Sequence, residues 1–154
     1  MPIPDDQALT LPVLLALVFG CTAVQAQPVA FDLRSYKDSP IALISYAPAV
    51  FRAEGGRRQF VTVKNVSDRV IAALVFQQTL ADGSRREIVA IERVSVVFKP
   101  HDTKRLSVSV EETWNRVQRA ARTGVSVRNP VLSIVSVEFI DGSTWSAPLG
   151  QPGP

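Results

Sequence analysis

Hydrophobic and polar positions divide the chain into one continuous apolar run near its start and a series of shorter, mostly alternating runs after it. Residues 8–26 (ALTLPVLLALVFGCTAVQA) form the continuous run. Farther on, Gln59 to Val66 alternates and places Val61 and Val63 on one face, which predicts a half-buried β-strand. This change of pattern separates an N-terminal segment from a β-rich remainder.

Six further segments have the length and the β-branched composition of strands. They are Ile41–Tyr46, Val70–Gln77, Arg86–Phe98, Arg105–Val110, Val131–Ile140 and Thr144–Ala147. Val70–Gln77 is apolar on both faces, which predicts a central strand covered on two sides. Arg86–Phe98 fits one long bent strand or two short ones. Asp82-Gly83-Ser84 and Asp141-Gly142-Ser143 have the composition of turns, and the total is about seven strands.

One segment, Glu111 to Thr123, has helical character. Ser109 and Glu112 have the spacing of a capping box, and Gly124 supplies a left-handed stop. Apolar residues recur at helical spacing, which predicts that the helix docks on the end of the sheets. They are Val110, Trp114, Val117 and Ala121.

Short strands, Asp-Gly turns and the lack of a βαβ rhythm predict a mainly β fold: an antiparallel sandwich with one helix between the fifth and sixth strands. From Pro40 to Pro148 the chain resembles the bacterial immunoglobulin-like and fibronectin-III-like domains of exported proteins. Val61–Asn65 and Val137–Trp145 carry the resemblance. The paired cysteines of antibody domains are missing and the helix is an addition. The resemblance implies an adhesive, spacing or partner-binding module.

The apolar run near the start is typical of a signal peptide. It ends with Gly20 and with small residues at Val24 and Ala26, which predicts cleavage after Ala26. The residues before it carry two acids and no Lys or Arg, unlike most export signals. Two alternatives stay open: lipid attachment at Cys21, and retention of residues 9–26 as a membrane anchor.

These features predict an organisation into four parts. Residues 1–26 form the signal peptide, 27–39 a linker, 40–148 one β-sandwich domain and 149–154 a disordered tail. The expected location is secreted or periplasmic, or outside the cytoplasm on a lipid or membrane anchor under the two alternatives.

Composition excludes several kinds of stabilisation and binding. Cys21 is the only cysteine, so the cleaved chain would hold neither a disulfide nor a thiolate metal site. The formal net charge is +3, and loss of Asp5 and Asp6 with the signal would raise it by two. Because aromatic residues are not interleaved with these dispersed charges, the sequence does not predict a nucleic-acid partner.

Catalytic chemistry has few candidates. His101 is the only histidine, and Asp102 follows it, but a His-Asp pair needs a nucleophile beside it. Ser107 and Ser109 are expected to face solvent on a strand. A metal site needs three or four ligands, which the scattered acids do not supply. We therefore expect no enzyme, no cofactor, no metal and no identified small-molecule substrate.

Two surface features are candidate partner-binding residues. Arg116, Arg119 and Arg122 recur at three-residue spacing on the helix and could receive an acidic partner, lipid headgroups or a phosphate, although a solvated helix face has the same pattern. Trp145 lies beside a turn and could form a surface contact, whereas Trp114 on the apolar stripe is expected in the core.

The sequence as a whole predicts an exported, non-enzymatic β-sandwich that binds another protein or the cell envelope, through an unpaired sheet edge or the arginine-bearing helix. The alternative is a small carbohydrate-binding domain or enzyme with a site assembled around His101 and Trp145. Asn65-Val66-Ser67 also matches the N-glycosylation sequon.

Overall fold

The computed structural model describes residues 29–82 and 84–148, without the side chain of Asp82. The expected signal peptide, including Cys21, and the expected tail lie outside the described residues. The described residues form eight strands and one helix. Their bounds are β1 Asp32–Arg34, β2 Ile41–Ala53, β3 Gly56–Asn65, β4 Ile71–Asp82, β5 Arg85–Phe98, β6 Thr103–Ser109, α1 Glu111–Arg122, β7 Val131–Phe139 and β8 Thr144–Ser146.

The strands form two sheets, and the chain is mainly β as predicted. In the larger sheet β7, β4 and β5 are antiparallel neighbours in that order. The other edge of β7 pairs first with β1, in parallel, and then with β8, antiparallel. The smaller sheet has the order β2-β3-β6 and is antiparallel throughout.

Side chains from both sheets form one hydrophobic core. Val61 and Val63 are 0 % exposed, so the alternation along β3 is confirmed. Phe76 of β4 and Phe98 of β5 are also fully buried. The buried members of the core are Val29, Phe31, Ile41, Val61, Val63, Ile71, Leu74, Phe76, Phe98, Val108, Val110, Leu132, Ile134, Val137 and Phe139.

The first two strands extend the fold beyond what the pattern predicts. β1 lies in the segment expected as a linker, where Val29 and Phe31 are buried in the core. β2 runs from Ile41 to Ala53 instead of ending at Tyr46, because a bulge between Tyr46 and Val50 admits a proline into the strand.

β4 is central in its sheet, but only one of its faces is fully buried. Ile71, Leu74 and Phe76 point into the core at 0 % exposure. Val75 and Gln77, on the other face, are half-buried. The expectation that this strand is covered on both sides was therefore wrong, because the single helix docks elsewhere and no second layer covers the outer face within the described residues.

The helix begins at Glu111 with Val110 at its N-cap and no side-chain cap, so the expected capping box of Ser109 and Glu112 was wrong. Ser109 is the last residue of β6, where its N–H donates to Glu92 Oε2 at 2.6 Å and its carbonyl accepts from Gln78 Nε2 at 2.7 Å. These bonds hold Ser109 in the strand. Gly124 has φ +70° after the last turn, and the predicted stop is confirmed.

The docked face of the helix differs from the predicted stripe at its end. Val110 is buried and Trp114 packs against the core, as expected. Ala121 is exposed, whereas Thr113 is 0 % exposed. Thr113 is buried because its hydroxyl donates a hydrogen bond to Gln78 Oε1 of β4.

Candidate functional site

One edge of the larger sheet is formed by β5, a strand of 14 residues. β5 pairs with β4 along its whole length, from Phe98 opposite Ile71 to Arg85 opposite Asp82. Among the described residues no strand pairs with the other side of β5. Its backbone donors and acceptors on that side are therefore available to another chain.

Large apolar side chains of β5 point away from the core. Ile88, Ile91 and Val97 are 54 %, 62 % and 65 % exposed. Arg93 lies between Ile91 and Val97 and forms a bidentate pair with Glu138 of β7, at 2.8 and 2.6 Å. The hydrogen bond from Arg93 lowers the pKa of Glu138. We call the unpaired side of β5, with Ile88, Ile91 and Val97, the β5 edge.

The inner side of β5 is fastened to the other sheet. Glu92 accepts a hydrogen bond from Arg58 Nη2 of β3 at 2.7 Å, and its second oxygen accepts from Ser109 N at 2.6 Å. Arg58 also donates to the hydroxyl and the carbonyl of Ser107. This network gives the β5 edge a rigid support.

A cavity of about 480 Å³ lies where the β4–β5 hairpin meets the helix. Its apolar surface comes from three parts of the fold: β4, α1 and the segment after α1. The apolar residues are Leu80, Ala120, Val125 and Val127, and the charged ones are Arg85, Arg86, Glu87 and Arg116. We call this cavity the basic groove.

The three candidate arginines of the helix do not form one uniform row. Arg116 lines the basic groove and pairs with Glu112 at 3.0 Å and with Glu87 at 3.2 Å. The hydrogen bond with Glu112 raises the pKa of Arg116. Arg119 and Arg122 are exposed and do not line the groove. Arg116 therefore differs from Arg119 and Arg122, because it lines the groove and its guanidinium group forms ion pairs with two glutamates.

The groove also includes two adjacent arginines, Arg85 and Arg86. Both are exposed, and neither forms an ion pair with a described side chain. They are the first residues of β5. The one sequence signal that could have pointed to these residues is an adjacent basic pair beside an apolar strand, and this signal is weak.

Trp145 is half-buried, and it contacts the core of the larger sheet. It pairs with Val137 in register, and its ring lies 6.1 Å from the ring of Tyr36. The indole therefore serves in part as packing for the edge formed by β8.

His101 lies in the turn between β5 and β6, with φ +62°. Its Nε2 is 2.7 Å from Asp68 Oδ1, and both side chains are well exposed. The carboxylate beside His101 in space is Asp68, not the adjacent Asp102. No hydrogen bond or ring contact among the described residues joins His101 to Trp145.

Asp141 confirms the predicted turn between β7 and β8. Its carboxylate accepts hydrogen bonds from the Ser143 hydroxyl and N–H, at 2.6 and 3.0 Å, and from Arg69 at 2.7 Å. These bonds, those of Ser143 above all, lower the pKa of Asp141 to about 2. Turn formation accounts for the bonds from Ser143, and the bond from Arg69 ties the turn to the segment between β3 and β4.

Asn65 of the sequon is 0 % exposed. Its Nδ2 donates to the carbonyls of Arg69, Phe98 and Lys99, at 2.8, 3.2 and 3.1 Å. Its Oδ1 accepts from the N–H and the hydroxyl of Ser67. In the folded domain this amide is therefore occupied and inaccessible to a glycan.

Comparison with family models, with curated proteins and with solved structures finds no match to this chain. In residues 29–82 and 84–148, no helix has the length and apolar character to cross a bilayer. Within the same residues, no group of three or more His, Cys, Asp or Glu side chains lies together as a metal site requires.

Proposed function

We propose that this protein is an exported, non-enzymatic immunoglobulin-like module that binds an extended segment of another protein by strand addition at the β5 edge. The β5 edge carries the proposal: β5 is an edge strand of 14 residues, with β4 on one side and no strand on the other among the described residues, and with outward apolar side chains. Strand addition takes affinity from main-chain hydrogen bonds and specificity from side chains at alternate positions.

The strand order supports the immunoglobulin-like part of the proposal. If β2 to β8 are counted as seven strands, the first, second and fifth share one sheet, and the third, sixth and seventh share the other. Immunoglobulin-type sandwiches divide these strands in the same way. The fourth strand, β5, joins the third, and β1 is an addition beside β7.

The exposure of large apolar side chains on β5 supports a binding role. Proteins usually protect long sheet edges with charged residues, proline, bulges or a covering loop. β5 has two bulges, opposite Ile71–Ala73 and Gln78–Thr79, yet three of its large apolar side chains stay exposed. Its central charges, Glu92 and Arg93, are each taken up in an ion pair. The export part of the proposal depends on residues 1–26, as the sequence analysis describes.

The test is site-specific photo-crosslinking in intact cells. A photoreactive residue at Ile91 is compared with one at Ile44, which is 53 % exposed but lies on β2 of the other sheet. We expect a discrete protein adduct from position 91 and none from position 44. Ile88→Lys with Val97→Lys should reduce this adduct by roughly tenfold or more, because charge on an edge opposes strand pairing.

A matched control is Ile140→Lys, since Ile140 is 69 % exposed and lies outside β5. It should leave the adduct unchanged. Equal adducts from positions 44 and 91, the absence of an adduct from position 91, or insensitivity to the lysines on β5 would each contradict strand addition.

A further inference from the structure

The basic groove lies on the opposite side of the β4–β5 hairpin from the exposed isoleucines. Leu80 is paired with Glu87, and the neighbouring Thr79 is paired with Ile88. Because successive side chains of a strand point to opposite faces, Leu80 and Glu87 face the helix whereas Ile88 faces away. The floor of the groove is therefore on the other face from the exposed isoleucines. Arg86, opposite Ala81, belongs by the same alternation to the face of Ile88 and still lines the groove.

We infer that the basic groove binds a short acidic segment of a partner protein, with one apolar side chain of that segment on the groove floor and its carboxylates on Arg85 and Arg86. This inference does not depend on strand addition at β5. It depends on the size, the lining and the charges of the groove.

The size of the groove suits a few residues of peptide. Its volume of about 480 Å³ lies in the range of roughly 300–1,000 Å³ that ligand pockets have. Leu80, Ala120 and Val127 are half-buried and Val125 is 50 % exposed. An apolar side chain placed there would remove all four from water.

The apolar lining is held in place by the backbone that follows the helix. Val125 N–H donates to the carbonyl of Ala120 at 3.0 Å, and Gly124 N–H donates to that of Ala121 at 3.3 Å. Arg116 bridges the helix to β5 through Glu87. The walls of the groove are thus joined before any ligand binds, which lowers the entropic cost of binding.

The charges favour an acidic peptide. The positive charge of Arg116 is compensated by Glu112 and Glu87, so Arg85 and Arg86 supply the charge at the rim that no described side chain pairs with. A guanidinium group binds a carboxylate through two parallel hydrogen bonds.

A membrane surface fits less well than a peptide. Glu87 is one of the lining residues and pairs with Arg116, and its carboxylate would repel a continuous layer of anionic headgroups. A peptide can instead place separate carboxylates at Arg85 and Arg86 and leave Glu87 uncontacted. Charges of both signs at close range favour discrete recognition over a general attraction to anions.

The test measures binding of a fluorescent hexapeptide, Glu-Leu-Asp-Leu-Glu-Leu, to the full chain by polarisation at low and high ionic strength. Its neutral counterpart replaces the acids with Gln and Asn. We expect the acidic peptide to bind roughly tenfold or more tightly than the neutral one, and to weaken as salt screens the contacts.

Two kinds of variant locate the binding. Arg85→Ser with Arg86→Ser should weaken binding by roughly tenfold or more, whereas Arg119→Ser with Arg122→Ser, an equal change of charge outside the groove, should change it by less than about twofold. Ala120→Trp fills the floor without a change of charge and should also weaken binding by roughly tenfold. Thermal unfolding confirms that each variant is folded.

Several results would overturn the inference. The acidic peptide could fail to bind, or the neutral peptide could bind equally well. The double variant at Arg119 and Arg122 could also lose as much affinity as the double variant at Arg85 and Arg86. Vesicles with phosphatidylglycerol serve as a competitor. If they bind through Arg85 and Arg86 and displace the peptide, the groove recognises an anionic lipid surface instead.

Discussion

At the scale of single residues, Asn65 illustrates how burial decides what a side chain does. Its amide satisfies three carbonyls from the β3–β4 and β5–β6 connections, and so joins the two turns at one end of the fold. A buried amide with all of these bonds stabilises the fold, because each lost partner would leave a polar group without water. The sequon pattern of Asn65, Val66 and Ser67 does not by itself reveal this structural role.

Asp141 is an acid whose pKa the folded structure lowers strongly. Its pKa is about 2 in the folded chain against an ordinary value of 3.8. A group whose pKa is lowered by folding stabilises the fold above its unfolded pKa, and this contribution is lost as protons bind below it. The Asp141 contribution should therefore be complete above about pH 5 and disappear toward about pH 2.

We expect Asp141→Asn to change the slope of stability against pH only within that window. Urea unfolding of both proteins between about pH 2 and pH 7 measures it. The difference in unfolding free energy should be constant near neutral pH and shrink as the pH falls toward 2. Asp38→Asn is the control, because exposed Asp38 accepts no hydrogen bond from a described residue. A difference that stays constant to pH 2 would contradict the assignment.

At the scale of elements, the start of α1 is held by the first residues of β3. Glu111 accepts hydrogen bonds from Arg57 N at 2.7 Å and from Arg57 Nη1 at 2.8 Å. The Arg57 guanidinium in turn lies over the Trp114 ring, 3.6 Å from its centre. The backbone bond from Arg57 lowers the pKa of Glu111. These contacts replace the side-chain cap that the helix lacks.

The start of β3 leaves no space beside Glu111. Gly56 has φ +112°, and a Cβ there would lie 2.9 Å from Glu111 Oε2, whereas Gly55, with φ +85°, has open space around it. Gly55→Ala should cost about 1 kcal/mol from backbone strain alone. Gly56→Ala should cost about 1–3 kcal/mol more, because it also displaces the Glu111 carboxylate.

Urea unfolding of the two alanine variants measures this difference. In a Glu111→Ala background the extra cost of Gly56→Ala should shrink, since the carboxylate and Cγ that it displaces are gone and only the Cβ contact at 3.2 Å stays. If the two alanine variants lose equal unfolding free energy in the unmodified background, then Glu111 moves aside freely. That result would contradict the claim that its contacts with Arg57 hold the start of the helix.

At the scale of the whole molecule, the two sheets are joined by polar links as well as by the core. Arg58 and Glu92 bridge β3 and β5 with side chains only 20 % and 24 % exposed. Arg93 and Glu138 form a pair of the same chemistry within one sheet, at 52 % and 34 % exposure. Both pairs join an arginine to a glutamate, but they differ in exposure. A comparison of their contributions to the unfolding free energy therefore isolates the effect of burial.

We expect Glu92→Ala to lower the unfolding free energy by about 3 kcal/mol, because it leaves a partly buried guanidinium and the Ser109 N–H without their acceptor. Glu138→Ala should lower it by less than about 1 kcal/mol, as exposed pairs do. Chemical unfolding at neutral pH compares them. Similar costs for the two variants would mean that the bridge between the sheets adds no stability beyond that of an exposed pair.

Prediction from the sequence succeeded where neighbours along the chain decide the outcome. Val61 and Val63 alternate with polar residues and are buried, and Gly124 ends the helix with a positive φ. It failed at Ser109, whose expected cap was overridden by a bond to Glu92, 17 residues away. The groove was missed because its lining comes from β4, β5, α1 and the segment after α1, which no local pattern brings together.

The sequence by itself determined the mainly β class, most strand positions and the single helix, because strand alternation and helix ends depend on residues a few positions apart. Only the tertiary structure decided that β5 is an unpaired edge, that Asn65 is enclosed, and that Arg85 and Arg86 border a cavity with Arg116. These properties arise from pairing and packing between distant segments, and the hydrophobic pattern of one segment does not specify its neighbours in space.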